Sequence, residues 1–203
     1  MKKPIAFLSL CALALTLGPS LVAGARASDS IDYGTVQAEN GKTLRYRRTS
    51  TGYLLVLTPG QEILASLAAF QKAMGFSFAT ATGIGNVSNT QLGQYNLRAR
   101  KMDKSPVFPD AHEVTSLVCN LAILVDPSGA SRPLPHCHIS MALSPAEGFH
   151  LVGGHLITAT IAVVGEISLT TAEMSPLAVK THDPYFNGDA FDLNGLDGVP
   201  VNQ

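Results

Sequence analysis

Apolar positions along the chain change period several times. Residues 5–17 form an almost unbroken apolar run, Ile5 to Leu17. Lys2 and Lys3 precede it, and Gly18, Pro19 and small residues ending in Ala25-Arg26-Ala27 follow. A short basic start, an apolar stretch and an A-x-A end are the parts of a secretory signal peptide. A membrane-crossing helix needs about 20 apolar residues, so cleavage after Ala27 is expected, with no span in the mature chain. Residues 28–51 are a polar lead-in in which Thr43–Arg48 alternates like an edge strand. Gly52–Leu57 reads as a core strand. Ile63, Leu67, Phe70 and Met74 then recur at helical spacing. Thr58 as N-cap, Pro59 at the first position, Gln61 completing a capping box and Gly75 as the stop predict a helix over 59–74.

Beyond the helix the period returns to two. Phe76–Thr82 reads as a strand, Gly83-Ile84-Gly85-Asn86 as a tight turn, and Val87–Leu97 as a second strand. Residues 98–112 form a charged, proline-containing loop. Glu113–Val125 is a long strand closed by the turn Asp126-Pro127-Ser128-Gly129. His136–Leu143 and Ile157–Leu169 follow, the latter rich in β-branched residues and suited to the centre of a sheet. Residues 171–203, rich in Pro, Asp, Asn and Gly, read as a loop-like tail. One main helix packed on six to eight mostly hairpin-connected strands makes a single α+β domain, mostly antiparallel sheet.

Composition supports a packed core: 46% of the 203 residues are apolar and 14% charged, against about 25% charged in average proteins. The absence of Trp and the 6% aromatic content argue against a base-stacking platform or an aromatic sugar groove. Cleavage after Ala27 removes Lys2, Lys3 and Arg26 but no acid, so the mature chain carries 11 basic and 15 acidic residues, net −4. Phosphate binding needs a concentrated positive footprint. The clusters Arg45, Arg47, Arg48 and Arg98, Arg100, Lys101, Lys104 read instead as solvated strand ends and loops. Cys119 and Cys137 remain after cleavage. Spacing alone leaves their pairing open, and two buried free thiols are the default expectation.

Histidines supply the candidate chemistry. His136 and His138 stand at i and i+2, so on a strand their imidazoles share a face, with Cβ atoms roughly 7 Å apart. His155 follows Gly153-Gly154, which permit close backbone approach. Three imidazoles with an open fourth position is a catalytic-type zinc arrangement, and imidazole also suits Cu, Ni or Fe. The alternative is a metal-free, hydrogen-bonded cleft or subunit interface. Glu113 is the candidate catalytic carboxylate, as general base or as partner to an imidazole; a solvent-facing strand end is its plainer reading. His112 points to the opposite face, and His150 lies in a predicted turn. His182-Asp183-Pro184-Tyr185-Phe186 could fold over a pocket or remain a solvated tail. Gly83-x-Gly85 lacks the third glycine (position 88 is Ser) and the following helix of a dinucleotide fingerprint.

The ordered set Gly52-Tyr53-Leu54-Leu55-Val56-Leu57, Pro59-Gly60-Gln61-Glu62-Ile63, Thr82-Gly83-Ile84-Gly85-Asn86-Val87, Glu113-Val114-Thr115-Ser116-Leu117 with Asn120, His136-Cys137-His138 and Val152-Gly153-Gly154-His155-Leu156 resembles the PPC (plant and prokaryote conserved) domain across residues 52–170. The resemblance implies an α+β fold, a homotrimer, and a histidine cluster that maps onto His136, His138 and His155. Plant relatives carry AT-hooks and relatives are often labelled DNA-binding; this chain has no Arg-Gly-Arg-Pro hook. No general reaction is implied, and whether the protein is an enzyme stays open. The expectation is an exported, periplasmic or secreted PPC protein that binds zinc or another divalent transition metal, a small-molecule ligand, or both, at the three histidines. A DNA-associated protein and a non-catalytic trimeric binding module are the alternatives, with nucleic acid disfavoured by charge.

Overall fold

Ten strands and one helix account for most of the described chain. The computed structural model describes residues 33–38, 41–172, 179–183 and 188–191, so the expected signal peptide lies outside the described residues. In chain order the elements are β1 (Tyr33–Gln37), β2 (Thr43–Arg48), β3 (Gly52–Leu57), α1 (Ile63–Met74), β4 (Phe78–Asn96), β5 (Lys101–Lys104), β6 (His112–Val125), β7 (Ser131–Ala142), β8 (Leu151–Ala172), β9 (Val179–Asp183) and β10 (Gly188–Phe191). The sheet is antiparallel except where β9 runs parallel to β6. Among the described residues no helix is long and apolar enough to cross a membrane.

The sheet closes on itself at its middle. β4 pairs with both β6 and β8, and β7 pairs with the same two strands, so β4–β6–β7–β8 form a ring. β3, β2 and β1 extend the sheet from β8, and β9–β10 extend it from β6. Leu117, Leu121, Ile139, Met141, Leu156, Ala159 and Ile167 form one buried layer with Leu55 and Leu57 of β3. Helix α1 buries Ile63, Leu67 and Phe70. The Phe70 ring meets Tyr46 and Tyr53 edge-on, centroids 5.3 and 5.1 Å away, an arrangement that aromatic quadrupoles favour.

Five expectations need correction. The helix starts at Ile63, not at residue 59: Gly60 adopts φ +79°, which breaks the first turn. Gln61 Oε1 still accepts from the Thr58 N–H at 2.6 Å, but the N-cap is Glu62, whose carboxylate accepts from the Ala65 N–H at 2.6 Å. Gly75 ends the helix in the left-handed conformation, as expected. Gly83–Asn86 is no turn. β4 runs straight through it with an irregular register against β6 and β8, because the glycines allow a bulge: a Cβ on Gly85 would stand 2.3 Å from the Val164 carbonyl oxygen.

The lead-in holds the expected strand at Thr43–Arg48, which is β2, but also a second one that was not expected, β1, paired with it so that β2 is not at the edge. The tail is not merely loop: β9 and β10 form a hairpin that docks against β6 at Ile123 and Leu124. Finally, Cys119 and Cys137 are joined in a disulfide. They face each other across the β6–β7 ladder with Cα atoms 4.1 Å apart, within reach for a bridge, so the default of two free thiols does not hold.

Candidate metal centre

Strand pleating decides which side chains meet. On β7, Cys137, Ile139 and Met141 turn into the core, so His136 and His138 share the opposite face. His138 is registered directly against His155 of β8, and His155 against Gly93 of β4. A Cβ on Gly154 would stand 2.9 Å from the Gly93 carbonyl oxygen, and one on Gly153 2.8 Å from that of Ile139. The two glycines therefore let β8 lie close enough to β4 and β7 to bring the third imidazole in. The Cys119–Cys137 disulfide locks β6 to β7 immediately behind His136 and His138.

One candidate ligand atom from each of His136, His138 and His155 lies within 4.8 Å of the others. Their ring centroids are 5.4, 4.8 and 5.5 Å apart. His138 is exposed and the other two are half-buried. They line one side of a cavity of about 720 Å³ whose other walls include Gln94, Tyr95, Met102 and Leu134. Burial, helped by the positive charge of Lys180 and by the neighbouring imidazoles, pushes His136 down to about 4. Burial and the His138 and Lys180 charges lower His155 as well. Both rings are thus neutral at pH 7, the form in which imidazole ligates a metal. Nitrogen ligands of one tetrahedral ion stand about 3.3 Å apart for bonds of about 2.05 Å. Small side-chain rotations would bring the set to that spacing, so the donors fit a divalent transition ion.

Two groups in the cavity were not among the sequence candidates. Lys180 of β9 is buried, and its Nζ lies 3.2 Å from His136 Nδ1. Asp189 of β10 also lines the cavity and faces His182 across the hairpin, Oδ1 to Nδ1 3.5 Å. The sequence signal was the short alternation Val179-Lys180-Thr181-His182 inside a polar tail, too brief to separate from loop.

Other candidates fall elsewhere. Glu113 is exposed and accepts a hydrogen bond from Asn86 Nδ2 at 2.9 Å. It does not line the histidine cavity, because five strand positions separate it from Val118, the partner of His138, so the structure does not bring it to the three imidazoles. His112 is buried and contacts Glu147 Oε2 at 2.9 Å through Nε2, tying down the turn at Pro145–Glu147. His150 is exposed in the β7–β8 connection.

The described residues form a mostly antiparallel domain whose sheet closes around a core, with three histidines converging on one face. The chain belongs to the family described as Plants and Prokaryotes Conserved (PCC) domain, whose model matches residues 44–173; this is the family, abbreviated PPC, that the sequence motifs resemble. Three solved structures are similar. A proposed DNA-binding protein from Ralstonia eutropha JMP134 has 26% identity and a TM-score of 0.63, covering 73% of this chain and 95% of its own. A PPC protein from Pyrococcus horikoshii has 23% identity and a TM-score of 0.58, covering 73% and 94%. A metal-containing protein from Archaeoglobus fulgidus has 20% identity and a TM-score of 0.59, covering 71% and 96%. No curated protein matches the chain in sequence.

Proposed function

We propose that this protein holds a divalent transition ion, zinc first among the candidates, between His136, His138 and His155, and takes a small ligand in the adjoining cavity. The convergence of three imidazoles, two of them held neutral, on the wall of an open cavity carries the reading. The metal-containing description of the Archaeoglobus neighbour supports it. Such an ion supplies Lewis acidity to a ligand group placed in the cavity. The chain's own part is positional: the disulfide and the strand register fix the imidazoles, and Gly153 and Gly154 set their spacing. No residue placed here assigns a reaction. The leader-like start of the sequence supports an exported protein working in the periplasm or the exterior, and the family resemblance supports a homotrimer as the working form.

Metal analysis of the purified mature protein tests the site. About one ion per chain is expected, lost in His138→Ala. A protein that neither carries metal nor takes up added zinc would remove the reading. The second reading, DNA association, is favoured by the descriptions of the Ralstonia and Bacteroides thetaiotaomicron neighbours as proposed DNA-binding proteins. It requires an unprocessed cytoplasmic chain that shifts DNA at moderate salt, which cell fractionation and a gel shift would detect.

A further inference from the structure

The family match ends at residue 173, and beyond it the hairpin β9–β10 reaches back to the histidines. Among the described residues β10 pairs only with β9, and β9 joins the rest of the sheet through Val179 and Lys180, registered against Ile123 and Leu124 of β6. The Lys180 side chain is buried, with Nζ 3.2 Å from His136 Nδ1. Burial works against its charge, and the Asp189 carboxylate of β10 works for it. An ammonium has three N–H donors and no lone pair. In this contact Nδ1 is therefore the acceptor, and a neutral His136 carries its proton on Nε2. Ligation asks for a different arrangement. A metal-bound imidazole gives one lone pair to the ion and donates its other N–H to an acceptor. Here Lys180 stands on one ring nitrogen and the proton sits on the other. Moving that proton to Nδ1 would point it at an ammonium. Either nitrogen of His136 becomes a ligand only after Lys180 withdraws.

We propose that the β9–β10 hairpin is a latch on the metal site: Lys180 holds His136 out of the ligand set, and the ion gains its third imidazole only when the hairpin releases that ring. The latch rests on the metal reading above and adds regulation to it. Its hold on the sheet is short, two register pairs on β6, so its release leaves the ring of β4, β6, β7 and β8 and the disulfide in place. The matched domain alone does not contain it.

Zinc titration of the mature wild-type protein and of Lys180→Met tests the latch, together with imidazole nitrogen NMR spectra of the metal-free wild type. In those spectra His136 should carry its proton on Nε2. Lys180→Met keeps an apolar stem in the buried position and should bind zinc about tenfold to a hundredfold more tightly, the effect of removing a charged hydrogen-bond donor that competes with the ion. Poor folding does not produce such a gain. Amide hydrogen exchange across Val179–Asp183 should quicken when wild type takes up zinc, a change that the loss of a positive charge alone would not explain. A metal-free wild type with the His136 proton on Nδ1, unchanged exchange on zinc uptake, or zinc binding by both proteins with Lys180→Met no tighter overturns the latch and leaves the metal reading standing. Absence of zinc binding by both proteins removes the metal reading, and the latch with it.

Discussion

At the scale of single residues, the site is governed by proton affinity. His136 is held near 4, below the value of about 6.5 for a free imidazole. Between those values the unfolded chain binds a proton that the folded chain refuses, so stability rises with pH across the window. The metal-free protein should therefore lose stability as pH falls from about 6.5 toward about 4. His155 adds to the same slope, and the charged neighbour Lys180 reinforces it. His136→Asn should flatten the slope, as read from urea midpoints across that range; an unchanged slope would mean that His136 protonates freely in the folded state. Zinc affinity should fall in the same direction, because each imidazole must shed its proton to ligate. The identity of the histidines was legible from the i, i+2 spacing and the glycines before His155. Lys180 was not, because nothing in a six-residue alternation reveals which distant strand it will join.

At the scale of elements, the strand pair β6–β7 is the scaffold of the site. Its disulfide closes a separation of 18 residues, for which chain entropy predicts about 3 kcal/mol of stabilisation. Replacing both cysteines with Ala should lower the unfolding free energy by about that amount. It should also weaken zinc binding, since the ladder behind His136 and His138 loses its clamp; a stability loss with unchanged zinc affinity would show that register alone holds the rings. β4 gives a second test. The segment Gly83–Asn86 has the glycine content of a turn, and period and composition could not distinguish a turn from a bulge in a long strand. Only the pairing partners on both sides, β6 and β8, make it continuous. In a solvent turn a Cβ at position 85 would meet no backbone. Here it would stand 2.3 Å from the Val164 oxygen, so Gly85→Ala should destabilise the protein by about 1–3 kcal/mol in thermal or chemical unfolding. The helix was read well at its apolar stripe and its glycine stop, and misread at its start, where the positive φ of Gly60 passes the N-cap from Thr58 to Glu62.

At the scale of the whole molecule, the histidine face continues into apolar surface. Cross-strand register places Leu54, Ser168, Thr82, Val118, His138 and His155 in one row across β3, β8, β4, β6, β7 and back to β8. Leu54 is 46% exposed, Val118 53%, and Ile84, two positions along β4 from Thr82, 58%. Exposed apolar side chains gathered on one sheet face mark an interaction surface more often than isolated ones do, and a homotrimer would cover them. The sequence alternation could mark these residues as strand positions, but only the family resemblance pointed to self-association. Ile84→Asp places a charge in that surface without touching the core or the histidines. Sedimentation of the mature protein should give a trimer for wild type and a smaller species for Ile84→Asp, with zinc still bound. A monomeric wild type would leave the apolar row without a partner in copies of this chain. A variant that dissociates and also loses zinc would place the ion's retention in the assembly rather than in the single chain.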